Sequence, residues 1–279
     1  MKALRRLFGK PASPRQPTLP SGYRLYAIGD IHGRDDLLVD LLTRIEADSR
    51  GRGRARQVIL FLGDLIDRGP SSAEVVERLR TLSLPSTRLV FLAGNHEEVL
   101  LRILDGDMRL LVDWLRFGGA ECLASYGADA DAIRRMTPRD AVEAVKAAIP
   151  ATHAAFLRTF DDTFRAGDFL FVHAGIRPGV PLNEQSPSDL RWIREPFLSD
   201  PGDHGFVVVH GHTIREQVEE RTNRIGIDTG AYRFGILTAL GLEGRERWFL
   251  QAGSEAMVAA AERNSAVSSA LDVVSGQSG

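Results

Sequence analysis

Short hydrophobic runs alternate with amphipathic stretches along most of the chain. Runs of apolar, partly β-branched residues are typical of buried strands, whereas apolar positions three or four apart are typical of helices. These patterns predict helices over 37–45 and 75–79, and strands at the following places: 24–28, 58–62, 89–93, 169–172, 206–209, 225–227, 235–237 and 247–250. Strand, polar turn and helix follow one another three times between residues 24 and 104, which indicates a βαβ arrangement with three loops at one edge of a sheet.

The pattern changes over residues 98–160, where apolar residues recur at helical spacing without a strand-like run. We interpret this segment as a helical insert. It either covers a functional site as a lid or packs on the sheet as a structural layer.

The two ends of the chain have a biased composition. Residues 1–20 contain four prolines and five basic residues but no acidic residue, and residues 254–279 are rich in Ala, Ser and Gly. We therefore expect a flexible basic leader over 1–20, one folded domain over 21–253 and a flexible tail over 254–279.

The composition is that of a soluble globular protein, with 43% hydrophobic residues, 26% charged residues and a formal net charge of -2. Cys122 is the only cysteine, which excludes an intrachain disulfide and a thiolate metal cluster. No apolar run approaches the roughly 20 residues that a membrane-spanning helix needs, and the N-terminus has no signal-peptide hydrophobic region. We expect a cytoplasmic protein without a membrane span, and the charge balance does not indicate nucleic-acid binding.

Polar residues follow five of the predicted strands directly. The five segments are Gly29-Asp30-Ile31-His32-Gly33, Gly63-Asp64-Leu65-Ile66-Asp67-Arg68-Gly69, Gly94-Asn95-His96-Glu97, His173-Ala174-Gly175 and His210-Gly211-His212. Open α/β sheets bind ligands at the carboxyl ends of their strands. On an extended segment, Asp30 and His32 would point to the same side. Residues 63–69 taken alone fit a charged turn about as well as a functional loop.

Imidazole and carboxylate donors without sulfur fit borderline divalent ions such as manganese, iron or zinc, and there are too many ligands for one ion, so we expect two. Two dications about 4 Å apart repel by about 17 kcal/mol at an effective dielectric constant near 20, so an anion must lie between them. We assign Asp64 as that anion. The two expected ligand sets are Asp30, His32 and Asp64 for one ion, and Asp64, Asn95, His173 and His212 for the other.

The two aspartates carry two negative charges and the two metal ions carry four positive charges. The cluster is therefore cationic, which suits a phosphate dianion. Arg68 and Arg194, together with Asn95, are expected to bind the phosphate oxygens. A hydroxide bridging the metals would attack phosphorus. His96 would protonate the leaving alkoxide, and Asp67 would orient its imidazole.

The segments at 29–33, 63–69 and 94–97 resemble the three signature blocks of the phosphoprotein phosphatase family of calcineurin-like metallophosphoesterases. His173-Ala174-Gly175 and Gly211-His212 resemble its two later metal histidines, and the similarity extends over residues 23–240. The resemblance implies an α/β four-layer sandwich of two mixed β-sheets flanked by helices, and a dinuclear site that is often active with manganese. It implies the same six ligands, with His96 and Asp67 as acid and partner and Arg68 on phosphate. Arg194 lies in a segment similar to that of bacterial and phage members.

The leading hypothesis is a serine/threonine protein phosphatase of the bacterial or phage type. Ile214 stands where the phosphodiesterase branch usually has another histidine, which argues against diesterase chemistry. The helical insert and the short C-terminal part argue against eukaryotic-type regulatory subunits. The alternatives are symmetrical hydrolysis of dinucleoside tetraphosphates and an inactive phosphoprotein-binding module. Expected partners are phosphorylated proteins or small phosphate esters.

The remaining candidate residues receive structural interpretations. We expect His153 and His204 to be structural, and His210 to be a packed residue at a strand end. Cys122 is expected in the core. The tryptophans Trp114 and Trp248 are expected to pack, and Asp228-Thr229-Gly230 forms either a support for the site or a plain turn.

Overall fold

Two five-stranded β-sheets form the centre of the computed structural model, which describes residues 16–253. The first sheet contains β1 (Tyr23–Ile28), β2 (Arg56–Phe61), β3 (Thr87–Phe91), β9 (Leu237–Glu243) and β10 (Glu246–Ala252). Its strand order is β10-β9-β1-β2-β3, with β1, β2 and β3 parallel and the other pairs antiparallel. The parallel strands are those that the three strand–turn–helix repeats predict.

The second sheet contains β4 (Thr163–Ala166), β5 (Phe169–Val172), β6 (Val207–His210), β7 (Glu219–Glu220) and β8 (Arg224–Gly226). Its order is β4-β5-β6-β8-β7, with β5, β6 and β8 parallel and both edge strands antiparallel. Both sheets are therefore mixed, as the family resemblance implies. Sequence patterns missed β4 and β7, which are short edge strands with few buried side chains.

Side chains alternate across β1 because successive residues of a strand point to opposite faces. Leu25 and Ala27 join the apolar core between the two sheets, where they meet Phe171 of β5. Tyr26 and Ile28 face the other way, into the core beneath the helices. The molecule therefore has four layers, helix, sheet, sheet and helix, which confirms the predicted fold class.

The helices follow the strands in the predicted order. Their bounds are α1 (Asp35–Gly51), α2 (Ser72–Thr81), α3 (Asn95–Leu104), α4 (Leu111–Trp114), α5 (Ala120–Ser125), α6 (Ala130–Arg134), α7 (Pro138–Ala148), α8 (Ala151–Leu157), α9 (Pro187–Trp192) and α10 (Ala231–Phe234). Helices α3 to α8 form the helical segment that the sequence predicts over 98–160. It packs in the same core as Tyr26, through side chains such as Leu123, Val145 and Leu157. The segment is thus a structural layer of the fold, whatever else it does.

A kink at Leu115–Gly119 connects α4 to α5. Phe117 and Gly118 leave the helical conformation there, and Gly118 has a φ of 122°. This kink lies against residues 67 and 68 of the polar loop after β2.

The predicted leader and tail fall largely outside the described residues, because residues 1–15 and 254–279 are not described. Among the described residues, Thr18 and Leu19 are already attached to the folded domain. Leu19 is buried and its N–H donates to Gly244 O at 2.7 Å, while Thr18 N–H donates to Asp168 Oδ2 at 3.0 Å. Within residues 16–253, no helix combines the length and the apolar character needed to cross a membrane.

Candidate metal centre

The candidate site lies where strand ends from both sheets meet. Asp30, Asp64 and Asn95 follow β1, β2 and β3 of the first sheet, and His173 and His212 follow β5 and β6 of the second. All of these side chains are buried. The structure therefore brings together the six residues that the sequence analysis assigned as ligands, including His32, and the site spans the seam between the sheets.

The carboxylate of Asp64 stands at the centre of this group. Its Oδ2 lies 3.6 Å from His32 Nε2, 3.5 Å from His173 Nε2 and 3.9 Å from His96 Nε2. Two clusters of possible metal ligands share Asp64: one contains His32 and His96, the other contains His173 and His212. The shared carboxylate agrees with the predicted bridge. His96 stands within the first cluster, where the sequence analysis expected Asp30.

Hydrogen bonds to the backbone set the tautomers of two histidines. His32 Nδ1 lies 2.8 Å from Ile66 O, and His173 Nδ1 lies 2.8 Å from Leu62 O. A carbonyl can only accept, so each Nδ1 carries a proton and each Nε2 faces Asp64. Neutral imidazoles would direct nitrogen lone pairs at the carboxylate, so the arrangement favours positive charge there, as a proton, a metal ion or, at His32, the Arg68 guanidinium.

Asn95 places another oxygen acceptor close to the two histidines that follow strands of the second sheet. Its Oδ1 lies 3.0 Å from His173 Nε2 and 2.9 Å from His212 Nδ1. Oδ2 of Asp30 accepts the N–H of His212 at 3.0 Å. Within residues 16–253, buried Asp30 Oδ1 and His212 Nε2 make no hydrogen bond. Since unpaired buried polar atoms are costly, these donors fit a site built for cations.

Backbone strain is concentrated at this site. Among the described residues, six non-glycine residues have positive φ, and five of them are His32 (46°), Asp64 (49°), Asp67 (71°), Arg68 (67°) and His212 (62°). Each such residue costs free energy that surrounding contacts must offset. The expectation that Asp30 and His32 share one extended segment is wrong, because the chain turns into the left-handed region at His32.

Two glycines make room for the carboxylates. A Cβ on Gly94 would lie 2.2 Å from Asp64 Oδ1, and a Cβ on Gly211 would lie 2.0 Å from Asp30 Oδ1. Any side chain at either position would displace the carboxylate. These glycines are therefore part of the construction of the site.

Glu97 supports the loop from behind, a role that the sequence analysis did not assign. Its Oε2 accepts the N–H groups of Asp64 and Gly94 at 2.9 and 3.0 Å, and its Oε1 accepts that of Leu65 at 2.8 Å. Burial and the nearby Asp64 carboxylate raise the pKa of Glu97 to about 7. The only indication in the sequence that Glu97 belongs to the site is its position at the end of the Gly-Asn-His-Glu segment.

Three further pKa shifts show the electrostatic character of the site. Burial, and then the charges of Asp228 and Asp64, raise the pKa of Asp30 well above its usual value. Burial opposes ionisation of Asp64 as well, but His173 and His96 lower its pKa well below the usual value. The Asp64 carboxylate in turn raises the pKa of His173 against the effect of burial. A proton or a metal ion can thus supply the same missing positive charge.

Asp228 belongs to this electrostatic group, which decides between the two interpretations of residues 228–230. Its side chain is 3% exposed, and its Oδ1 accepts the N–H of Gly230 at 3.0 Å. Burial raises its pKa to about 6, and the charge of Asp64 acts in the same direction. Asp228 therefore supports the site beside Asp30.

His96 and Asp67 form a buried pair, with His96 Nδ1 2.6 Å from Asp67 Oδ2. Burial lowers the pKa of His96, but Asp64 and Asp67 together raise it above the usual value. Arg68 Nη1 lies 3.0 Å from His32 Nε2, which places its guanidinium at the site. The three residues lie where the sequence analysis expected an acid, its partner and a phosphate-binding group.

Arg194 is less closely connected. It is exposed, and within residues 16–253 its side chain joins no other side chain by a hydrogen bond or ion pair. It lies near enough to affect His212: burial, then His173 and Arg194, lower the pKa of that histidine to about 3. The structure thus leaves Arg194 at the margin of the site.

Two aromatic residues at the site were not predicted. The Tyr232 ring packs edge-on against His32 with centroids 5.2 Å apart, and the Arg68 guanidinium lies 4.8 Å above it. Trp114 Nε1 donates to Asp67 Oδ2 at 2.9 Å. The assignment of Trp114 to packing is therefore incomplete. No spacing in the sequence relates Trp114 to a loop 47 residues earlier.

The other candidates have the expected structural roles. Cys122 is fully buried, and His210 is buried against Phe197 with ring centroids 5.1 Å apart. His153 lies 2.9 Å from Tyr126 and 3.0 Å from Glu77. Trp248 packs on Tyr26 and donates to Asp48 Oδ2 at 3.0 Å. All of these contacts lie outside the two ligand clusters.

Comparison with known proteins gives a family for this arrangement. A family model described as calcineurin-like phosphoesterase matches residues 23–235. The chain is 26% identical to a symmetrical bis(5'-nucleosyl)-tetraphosphatase of Methylobacillus flagellatus, over 79% of this chain and 92% of that protein. It is 28% identical to serine/threonine-protein phosphatase 1 of Salmonella typhimurium, over 77% of this chain and 89% of that protein.

Two other similarities concern only a part of the chain or only the fold. A symmetrical bis(5'-nucleosyl)-tetraphosphatase of Klebsiella pneumoniae is 42% identical, but over 84 residues that make up 30% of this chain and 27% of that protein. A solved structure of a candidate diadenosine tetraphosphatase has a TM-score of 0.60 at 22% identity, covering 85% of this chain and 96% of that chain. The latter similarity concerns the fold alone.

We predict that Gly211→Ala weakens manganese binding at least about tenfold, because the new methyl group would displace the Asp30 carboxylate. Isothermal titration and elemental analysis of the purified protein measure this. Gly51→Ala is the matched control, since its added Cβ meets no atom within 4 Å. Equal metal binding by Gly211→Ala and the unaltered protein would contradict the assignment of Asp30.

We also predict that manganese affinity falls as the pH is lowered from about 8 to about 6, because bound metal must displace protons from its ligands. Burial raises the pKa of Asp30 well above that of an ordinary aspartate, and the Asp64 carboxylate raises that of His173 against the effect of burial, so both groups keep their protons to higher pH than an unperturbed aspartate or histidine. Metal binding should therefore release protons, and heats of binding in buffers of different ionisation enthalpy measure their number. A pH-independent affinity would contradict this description of the site.

Proposed function

The chain belongs to the calcineurin-like phosphoesterase family, as its three motif segments predict, and we propose that it is a metal-dependent phosphomonoesterase acting on phosphoserine and phosphothreonine in proteins. The observation that carries the proposal is the Asp64 carboxylate, which is shared by two ligand clusters and faces the His96–Asp67 pair. A carboxylate shared by two ligand clusters can hold two cations, and the adjacent His96–Asp67 pair can protonate a leaving group.

The residues that would hold the two ions are those of the sequence prediction: Asp30, His32, Asp64, Asn95, His173 and His212. We propose manganese as the ion, as the family resemblance implies; the nitrogen and oxygen donors also fit iron or zinc. When bound, two such ions supply Lewis-acid activation of water and of the phosphoryl oxygens. The buried, unpaired oxygen of Asp30 and the opposed lone pairs around Asp64 support this fit.

His96 is the proposed general acid. Asp67 accepts from its Nδ1, so the proton available to a substrate is on Nε2, on the side of the ring that faces Asp64. The two aspartates favour the charged imidazolium despite burial. An alkoxide leaving from a serine or threonine phosphate is a poor leaving group and needs this proton.

Arg68 is the proposed phosphate-binding group. Its backbone has a φ of 67°, and its guanidinium contacts both His32 Nε2 and the ring of Tyr232. A planar guanidinium can donate two parallel hydrogen bonds to phosphate oxygens. Arg194, at the exposed margin, would add a second cation once a substrate is bound.

Similarity to the Salmonella serine/threonine-protein phosphatase supports the protein substrate. A second candidate, symmetrical hydrolysis of dinucleoside tetraphosphates, is supported by the Methylobacillus relative, which aligns over a comparable share of the chain. Both reactions need the same metals and the same phosphate-binding groups. The substrate therefore has to be decided by measurement.

We predict that the manganese-loaded protein hydrolyses a phosphoserine or phosphothreonine peptide with a kcat/KM at least about tenfold above that for diadenosine tetraphosphate. Phosphate release and nucleotide chromatography measure the two reactions. A tenfold preference for the dinucleotide would favour the second candidate. Asp64→Asn is the control for the site, and hydrolysis of an aryl phosphate unchanged by it would favour the inactive binding module.

We predict that His96→Asn slows hydrolysis of a phosphoserine peptide about a hundredfold or more, but hydrolysis of p-nitrophenyl phosphate far less, because p-nitrophenolate leaves without a proton. Steady-state kinetics on both substrates tests this. His153→Asn is the control, since that buried histidine contacts Tyr126 and Glu77 instead of the site. Equal losses on the two substrates would remove His96 from the acid role.

A further inference from the structure

The indole of Trp114 reaches the His96–Asp67 pair from the helical segment. Its Nε1–H donates to Asp67 Oδ2 at 2.9 Å, and His96 Nδ1 lies 2.6 Å from the same oxygen. Trp114 is 3% exposed and Asp67 is fully buried. Competition from water is therefore small, and a hydrogen bond to an ionised acceptor in such surroundings is strong.

Two glycines that follow Trp114 allow the backbone to approach the loop of Asp67 and Arg68 closely. Gly118 O accepts the N–H of Arg68 at 3.1 Å, while a Cβ on Gly118 would lie 2.6 Å from Arg68 N. A Cβ on Gly119 would lie 2.3 Å from the Trp114 ring. The kink between α4 and α5 thus allows the helical segment to contact residues 67 and 68 at two points. Both of those residues have left-handed backbones that need external support.

Two donors on one carboxylate oxygen fix the orientation of the carboxylate as well as its position. With His96 alone, the Asp67 carboxylate could swing about its terminal torsion and still keep one hydrogen bond. The indole N–H comes from a different element and restrains that rotation. The orientation of the imidazole, and so the direction of its Nε2, then depends on Trp114.

We propose that Trp114 is a positioning residue that acts through Asp67 to aim His96 at the leaving group, so that the helical segment takes part in the reaction. The inference rests on the proposed role of His96 as general acid. It differs from both predicted roles of the segment, because a lid would act by covering the substrate and a structural layer would act only on stability.

Trp114→Phe tests the proposal, since it keeps an aromatic ring in the core, removes the indole donor and reduces the buried volume only by the difference between indole and phenyl. We expect it to reduce kcat for a phosphoserine peptide about tenfold and to change hydrolysis of p-nitrophenyl phosphate less than about twofold. Trp248→Phe is a matched control, because it also removes a bond from an indole to a carboxylate, that of Asp48. It should not alter the ratio of the two activities.

Combining the substitutions separates this inference from the proposed function. If Trp114 acts through His96, Trp114→Phe should cause no further loss in a His96→Asn protein. Full additivity, or equal losses on both substrates in the single variant, would overturn the role of Trp114 while leaving that of His96 intact. If His96→Asn itself shows no dependence on the leaving group, the acid assignment fails and this inference fails with it.

A measurement on the unloaded protein tests the contact without reference to activity. Three tryptophans give three indole N–H signals in protein labelled with 15N-tryptophan. We expect the Trp114 signal, assigned by its loss in Trp114→Phe or Trp114→Tyr, to exchange slowly with solvent and to shift in Asp67→Asn. A signal that exchanges rapidly and is unchanged by Asp67→Asn would overturn the proposal, even if Trp114→Phe fails to fold.

Discussion

The buried carboxylate of Asp64, surrounded by imidazole nitrogens, is the feature on which the rest of the structure depends. Three Nε2 atoms lie within 4 Å of its Oδ2, and two of their partners on the far side of the ring are backbone carbonyls. Such a group of acceptors is unfavourable unless positive charge enters it. The protein itself supplies positive charge through protons on histidine and through Arg68, whose Nη1 lies 3.0 Å from His32 Nε2. The fold therefore builds a site whose most stable form contains cations.

Holding that arrangement requires both sheets and a strained backbone. Strands of the first sheet deliver Asp30, Asp64 and Asn95, strands of the second deliver His173 and His212, and no single element carries a complete ligand set. Left-handed residues turn the loops so that side chains converge at the seam. The apolar core between the sheets fixes the relative positions of the strand ends. Packing energy in that core thus offsets strain at the site.

Much of this was readable from the sequence, because β-branched runs mark buried strands and polar residues follow their carboxyl ends. The parallel strands β1, β2 and β3 and the grouping of Asp30, Asp64 and His173 follow from those patterns, whereas the two mixed sheets follow from the family resemblance. The conformation of His32 does not, since its φ of 46° is imposed by hydrogen bonds from its neighbours to Asp64 and Leu65 carbonyls. Trp114 was missed for a different reason. Its partner Asp67 is distant in sequence, and a tryptophan at helical spacing is typical of a core residue.

The central claim is that two cations share the carboxylate of Asp64, and anomalous X-ray scattering tests it most directly. Crystals grown with manganese should show two anomalous peaks about 3.5 to 4 Å apart, one on each side of that carboxylate. One peak should lie among His32, Asp30 and Asp64, and the other among Asn95, His173 and His212. A single peak, or two peaks that do not flank Asp64, would contradict the account.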